Sequence, residues 1–226
     1  MAFILNIESS STICSVALAK HGQLLNLHEQ TGGYTHAENL HVFIEEVLAA
    51  ENLSPASLEA IAVSNGPGSY TGLRIGASAA KGLAYTLNIP LISIDTLKIL
   101  SNAALKTVYP AHLLCPMVDA RRMEVYTGIY NLNLEQKSPV EALVVTNESI
   151  QKFSSLDRVA FFGDGMNKCK ELLSTLNNAS FIEDIYPSAK YMCSLSYEKF
   201  SRNEFEDTAY FEPFYLKNFL IKSSNI

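Results

Sequence analysis

Long apolar runs are missing from this sequence of 226 residues. No stretch approaches the roughly 20 apolar residues that a membrane-spanning helix needs, and residues 1–6 carry no basic region of the kind that opens a signal peptide. Paired cysteine motifs are missing too, because the four cysteines are scattered and no CxxC occurs. We therefore expect a cytoplasmic protein with reduced cysteines and no contact with a membrane.

Clusters of basic residues are also absent, and the formal net charge is −6. A protein that grips nucleic acid by itself usually carries a basic face, so tight direct binding to nucleic acid is not expected. An acidic chain can still act on RNA through a basic partner. The composition, with 48% hydrophobic and 18% charged residues, is that of a globular chain and excludes extensive disorder.

Motifs for a metal ion or a hydrolytic nucleophile are missing as well. Neither H-x-x-x-H nor H-E-x-x-H occurs, and His36 and His41 stand five residues apart. On a helix they would diverge by roughly 140°, whereas a zinc site needs converging ligands. We expect no metal site, and no Ser/His/Asp triad can be argued, so no catalytic residue is named.

The patterns that are present predict the same order of elements twice. In the first half, strands are expected at 2–8, 13–19, 24–29, 60–64 and 90–94, and helices at 35–51, 71–87 and 96–106. In the second half, strands are expected at 113–118, 124–130, 142–146, 159–162 and 180–182, and helices at 149–153, 166–176 and 187–200. A capping box of Thr35 and Glu38 should open the first helix.

A duplicated βββαβαβα unit is the ground plan of actin, of the heat-shock chaperone ATPase domain and of the sugar kinases, which bind ATP between their halves. By this analogy the chain is an α/β protein of the actin-like ATPase fold. The seam near Tyr109–Pro110 divides it into an N-terminal subdomain, 1–108, and a C-terminal subdomain, 109–226.

The segment 64–76 leaves a strand, enters a helix and is rich in glycine. It lacks the Gly-Lys-Ser/Thr of a Walker loop, and two interpretations stay open: a tight structural turn, or an anion site at a helix N-terminus. Arg74, in the first helical turn, should have a carboxylate or phosphate partner. The residues that could hold an anion or nucleotide are Glu8, Ser9, Ser10, Gly66, Gly68 and Arg74. The first hairpin, at residues 8–12, has no glycine. We therefore expect the nucleotide cleft to be vestigial and the chain to have no independent ATPase activity.

Small residues recur every four positions along the second helix, as Gly72, Gly76, Ala80 and Ala84. Such a ridge admits a second helix, either from within the chain or from another subunit. The apolar residues of a two-helix docking face would be Leu40, Phe43, Ile44 and Val47 on the first helix, and Ile75, Ala79 and Leu83 with the ridge residues Gly72, Gly76 and Ala80 on the second. On this interpretation Gly76→Leu or Ala80→Leu blocks pairing and leaves the fold mostly intact.

The run Asn65-Gly-Pro-Gly-Ser-Tyr-Thr-Gly-Leu-Arg-Ile-Gly76 resembles the G-P-G-S-[FY]-T-G-L-R-I-G signature of the TsaB family. Shorter pieces agree in order along nearly the whole chain: 7–10, 119–126, 163–165 and 213–217. Glu8 stands where the family usually has Asp, and we treat this departure as tolerated. The turn at 119–124 is expected to be a salt-bridged hairpin, with a position facing the interdomain cleft as the alternative.

The resemblance implies a non-catalytic subunit required for the transfer of threonylcarbamoyl to adenosine 37 of tRNA. Such a subunit binds and activates the catalytic paralogue TsaD, together with the ATPase TsaE, and reaches tRNA indirectly. Pairing through helices in the manner of a four-helix bundle is implied, while ATP or ADP at the subunit interface and a homodimer stay open. The alternative is a stand-alone actin-like ATPase or small-molecule kinase, which would need glycine-rich phosphate hairpins and a catalytic Asp that cannot be placed.

Overall fold

Two mixed sheets of five strands each form the frame of the molecule. The structure, a computed structural model, describes residues 2–32, 36–107 and 112–217. The first sheet has the order β3-β2-β1-β4-β5 and consists of β1 (Phe3–Glu8), β2 (Ile13–Lys20), β3 (Gln23–Thr31), β4 (Ala60–Gly66) and β5 (Leu91–Asp95). The second has the order β10-β9-β6-β7-β8 and consists of β6 (Leu113–Asp119), β7 (Glu124–Thr127), β8 (Glu141–Val144), β9 (Val159–Phe162) and β10 (Ala179–Ile182).

The helices are α1 (His36–Ala50), α2 (Tyr70–Leu87), α3 (Thr96–Ala104), α4 (Met166–Leu173) and α5 (Cys193–Ser201), with short 3-10 helices at Pro55–Ser57, Ser149–Phe153 and Ala189–Tyr191. In each sheet the first strand pairs antiparallel with the second and parallel with the fourth, as β1 does with β2 and β4 and as β6 does with β7 and β9. The duplicated element order and the α/β fold class are therefore confirmed.

Local differences from the predicted elements occur mainly in the second half. The last predicted helix is split, because Ser188 has an extended backbone and a 3-10 turn precedes α5. Strand β7 ends at Thr127, and Tyr130 forms only isolated bridges. The capping residue Thr35 and the seam at Tyr109–Pro110 lie outside the described residues.

Helices from each half pack against the sheet of the other half. Leu97 and Leu100 of α3 cluster with Phe162 of the second sheet, while Cys193 and Leu195 of α5 cluster with strands of the first sheet. Because apolar burial is the main stabilising term, this exchange holds the two sheets together. Among the described residues, no helix has the length and apolarity needed to cross a membrane.

The C-terminal segment 206–217, here called the strap, runs without regular secondary structure from the first sheet to the second. Glu206 pairs with Leu91 at the end of β5, and Lys81 Nζ of α2 donates to the carbonyl oxygens of Ala209 and Phe211 at 3.1 and 2.9 Å. At its far end Lys217 pairs with Glu124 of β7. The strap thus ties α2 to both sheets.

Candidate functional site

Helix α2 is the centre of the candidate site, and the loop before it fixes its start. The Ser69 hydroxyl accepts a hydrogen bond from the Gly72 amide at 3.3 Å, which caps the helix. Asn88 ends it in the left-handed conformation, with a φ of 53°. Between these caps the helix has one face on the first sheet and one face exposed.

The small-residue ridge of α2 faces the sheet, which corrects the prediction that it serves a partner. Gly72, Gly76 and Ala80 are buried. A Cβ atom on Gly72 would overlap the carbonyl oxygen of Ser9, and one on Gly76 would overlap the Ser9 hydroxyl, at separations below 3.0 Å. The glycines therefore allow α2 to approach the turn after β1 closely. Gly76→Leu would disrupt this packing instead of leaving the fold intact.

Part of the predicted docking face on α1 is also internal. Leu40, Ile44 and Val47 are buried in the core beneath the helix pair, so they cannot contact a partner in this conformation. Phe43, Ile75 and Leu83 are partly buried at the edge of that core, and the exposed fraction of Ala79 is 9%. These are the predicted docking residues that lie closest to the surface.

A groove of about 700 Å³ lies between α1 and α2. Its lining is mostly apolar or small and consists of Ala37, His41, Pro55, Arg74, Ile75, Ser78, Ala79, Gly82, Leu83, Thr86 and Leu87. Arg74, Ser78, Gly82 and Thr86 form the exposed side of α2, here called the crest. Sequence reasoning missed Ser78 and Gly82. A usable signal was present, because Arg74, Ser78, Gly82 and Thr86 also recur every four residues and so share one helix face.

Arg74 lies at one end of this groove, and its neighbour differs from the one expected. Its guanidinium is 5.5 Å from the centroid of the Tyr70 ring, and Nη1 donates to the Tyr70 hydroxyl at 3.5 Å. Tyr70 in turn packs on Tyr215 of the strap, with ring centroids 4.9 Å apart. Within the described part of the chain no carboxylate pairs with Arg74. The exposed cation thus remains available to an acidic group on another molecule.

The first hairpin, predicted as an anion or nucleotide site, is closed by the chain itself. Glu8 is fully buried, and its Oε1 accepts a hydrogen bond from the Ser10 amide at 2.6 Å. Its Oε2 has no hydrogen-bond partner among the described residues. Burial raises the pKa of Glu8 to about 7, against the opposing effect of polar groups on Ser10, Ser64 and Ser9. A carboxyl in this setting is a poor ligand for an incoming anion.

The loop before α2, residues 65–69, is here called the glycine loop. It contacts the backbone of the first hairpin and of the strap. The Ser69 amide donates to the carbonyl oxygen of Ser10 at 2.6 Å, and a Cβ on Gly68 would overlap the same oxygen. Gly66 has a φ of 103°, and a Cβ there would lie 2.9 Å from the carbonyl oxygen of Phe214. Carbonyl oxygens carry negative partial charge and repel anions. These contacts favour the structural interpretation of Gly66 and Gly68 over the anion interpretation. Ser9, whose hydroxyl donates to Gly72 O at 2.9 Å, has a structural role as well.

The second hairpin, residues 119–124, does contain salt bridges, but its arginines do not make them. Lys168 of α4 pairs with Asp119 and donates to the carbonyl oxygen of Glu124 at 2.7 Å. The Asp119 amide donates to Asp164 at 2.9 Å, and burial raises the pKa of Asp164. Arg121 and Arg122, at the tip, are exposed and have left-handed φ values of 67° and 49°.

No group of three or more His, Cys, Asp or Glu side chains converges within the part of the chain that the structure describes. His41 lines the groove between α1 and α2, while the side chain of His36 lies outside the described set. All four cysteines are buried and unpaired. The candidate site is thus the groove between α1 and α2.

The chain is similar to known proteins over most of its length. The family model "TsaD: tRNA N6-adenosine threonylcarbamoyltransferase" matches residues 23–218. The TsaB protein of Buchnera aphidicola from Schizaphis graminum, a tRNA threonylcarbamoyladenosine biosynthesis protein, is 32% identical over 83% of this chain and 89% of its own length.

Solved structures show the same relationship. YeaZ from Pseudomonas aeruginosa superposes with a TM-score of 0.81 at 27% identity, covering 96% of this chain and 100% of its own. The activator of 2-hydroxyisocaproyl-CoA dehydratase from Clostridium difficile, 9% identical with a TM-score of 0.53, covers 91% of this chain and 98% of its own and shares the fold alone. The fold is that of the actin-like ATPases, and the chain belongs to the TsaB family, a paralogue of the TsaD transferases.

Proposed function

We propose that this chain is a non-catalytic subunit required for transfer of threonylcarbamoyl to adenosine 37 of tRNA. It acts by binding and activating a TsaD-like catalytic paralogue, together with a TsaE-like ATPase. The observation that carries the proposal is the open apolar groove between α1 and α2. An exposed concave apolar surface on a helix pair is typical of a protein-binding site.

The partner is inferred from the relationship between the two families. The model of the transferase family matches most of this chain, so a TsaD-like protein is expected to present an equivalent helix pair on an equivalent sheet. Two related helix pairs can pack face to face about a pseudo-two-fold axis, with each groove receiving the other crest. In this packing Arg74 would face the partner's equivalent of α1. In this chain that helix exposes Glu38 and Glu45, and acidic side chains at the equivalent positions of the partner would pair with Arg74.

The non-catalytic role is supported by the cleft. An actin-like ATPase or small-molecule kinase needs its first hairpin and glycine loop open to phosphates. Here the carbonyl oxygens of Ser10 and Phe214 lie against Gly68 and Gly66, and the Glu8 carboxyl is buried. These contacts favour an activating subunit over an independent enzyme.

Gly82 offers a direct test, because a Cβ atom there would meet no described residue within 4 Å. Gly82→Glu places a charged side chain in the groove without an internal clash, and Gly82→Ala is the matched control. We expect Gly82→Glu to lose co-elution with purified TsaD-like protein and to fail in reconstituted tRNA threonylcarbamoylation, while Gly82→Ala behaves like the wild type. Any self-association of the free chain through this face should weaken in parallel.

The proposal fails if Gly82→Glu pairs and supports modification as well as the wild type does. It also fails if reconstituted modification proceeds equally when this chain is omitted. A third contrary result would be ATP turnover by the chain alone, which would favour the stand-alone ATPase.

A further inference from the structure

The tip of the second hairpin carries positive charge in a chain whose formal net charge is −6. Four cations stand against three carboxylates here: Arg121, Arg122, Lys168 and Lys217 against Asp119, Glu124 and Asp164. Elsewhere lysines pair with nearby carboxylates, as in Lys152–Glu141 and Lys170–Glu183. The local charge is therefore opposite in sign to that of the whole protein.

The two arginines are the unpaired part of this cluster. Asp119 and Glu124 already pair with Lys168 and Lys217, and no ion pair of Arg121 or Arg122 occurs in the described ranges. Both guanidinium groups are exposed, and neither makes a side-chain hydrogen bond within the described residues. Burial raises the pKa of the nearby Tyr126 phenol, and the positive charges of Lys217 and Arg121 oppose this rise.

The backbone at these positions would be more stable with other residues. Two consecutive left-handed residues in a hairpin favour Asn or Gly, and an arginine there costs about 1 kcal/mol or more per residue. The Asp119 carboxylate accepts a hydrogen bond from the Arg121 amide at 2.8 Å. The Ala120 amide donates a hydrogen bond to the carbonyl oxygen of Glu124 at 3.1 Å. These hydrogen bonds hold the turn, on which both arginines are exposed.

The hairpin is also separate from the groove between α1 and α2. It lies on the second sheet, at the carboxyl end of β6, and none of its residues lines the groove. The strap connects this end of β6 with the glycine loop. Lys217 of the strap forms a salt bridge with Glu124, and the Phe214 amide donates a hydrogen bond to the carbonyl oxygen of Asn65 at 2.8 Å.

We propose that Arg121 and Arg122 bind phosphate groups of the tRNA backbone, so that this chain contacts the tRNA directly at the tip of its second hairpin. The inference rests on the proposed function, which makes tRNA the polyanion at hand. Guanidinium forks match phosphate oxygens in geometry and charge. Two contacts on an otherwise acidic protein give weak binding alone and a useful contribution within an assembly.

The test is the double variant Arg121→Asn/Arg122→Asn, because Asn tolerates the left-handed conformation and the hairpin should stay folded. The matched control is Arg158→Asn, an exposed arginine just before β9, at the opposite end of the second sheet. Binding of full-length tRNA is measured between 50 and 200 mM salt, for the assembly with the TsaD-like partner and for the chain alone at the low-salt end. ATP binding and co-elution with the partner are measured on the same samples.

We expect the double variant to weaken tRNA binding by roughly tenfold and to reduce the slope of log K against log salt by about 1.5, the effect of two lost phosphate contacts. Co-elution and the Arg158→Asn control should match the wild type. Unchanged tRNA affinity and slope would overturn the inference, as would a loss confined to ATP binding or to partner binding. Failure of the wild-type chain to co-elute would instead count against the proposed function, and the titration of the chain alone would still decide the role of the arginines.

Discussion

Two glycine-to-alanine substitutions on the same helix should change stability in opposite directions. Gly72 and Gly82 both lie in α2, but Gly72 is buried against the turn after β1 and Gly82 is exposed on the crest. A Cβ at Gly72 would overlap the carbonyl oxygen of Ser9, whereas a Cβ at Gly82 would meet nothing within 4 Å in the part of the chain that the structure describes. The pair therefore separates the inner face of the helix from the outer one.

The magnitudes follow from packing and helix propensity. At Gly82 the gain is the propensity difference alone, about 0.5–1 kcal/mol. At Gly72 overpacking costs about 1–3 kcal/mol, and because the contact is with backbone, side-chain rotation cannot relieve it. Propensity offsets part of this cost, which leaves a net loss of roughly 1–2 kcal/mol. For a chain of this size, 1 kcal/mol shifts Tm by about 2–4 °C.

Thermal and urea unfolding followed by far-ultraviolet circular dichroism would measure both effects. Gly82→Ala should melt above the wild type and Gly72→Ala below it, with unchanged urea m-values. A Gly72→Ala protein as stable as the wild type would refute the close packing of α2 on Ser9. A destabilised Gly82→Ala would refute the open crest, and with it the position of the docking groove.

Two further predictions concern charged side chains. Burial raises the pKa of Glu8 from 4.5 to about 7, so the folded state keeps its proton longer, and up to roughly 3 kcal/mol of stability is lost as pH rises between these values. Glu8→Gln should remove that loss, and parallel stability–pH curves for variant and wild type would contradict it. Lys81→Met removes the donor to the carbonyl oxygens of Ala209 and Phe211; limited proteolysis should then cut the strap faster, and an unchanged cleavage rate would count against this anchoring role.

The order of elements was predictable because each strand and helix carries its own periodicity. Strands β1 and β9, for example, are apolar runs bounded by turn residues, and their burial in the structure is nearly complete. Local patterns could not show the exchange of α3 and α5 between the sheets, since this depends on contacts far apart in sequence. The path of the strap was also not predictable, because it has no regular secondary structure.

The docking face stays a prediction, but Gly72, Gly76 and Ala80 lie on the buried side of α2 and not on its exposed side. Periodicity shows that Gly72, Gly76 and Ala80 share a face, but it does not show what that face contacts. The deciding fact is the Ser9 turn beneath α2, which only the folded structure brings there. Gly82 has no such contact with any of the residues that the structure describes.

The groove between α1 and α2 and the hairpin at residues 119–124 are linked by one set of contacts around the start of α2. The glycine loop packs on Ser10, and Tyr70 at the start of the helix stacks on Tyr215 of the strap. The strap then reaches the hairpin that carries the arginines, through the pair of Lys217 and Glu124. A protein docked on α2 and an RNA phosphate bound at that hairpin would therefore be held at a fixed relative position. On the function proposed above, this fixed geometry would let the subunit orient one macromolecule toward the catalytic site of another.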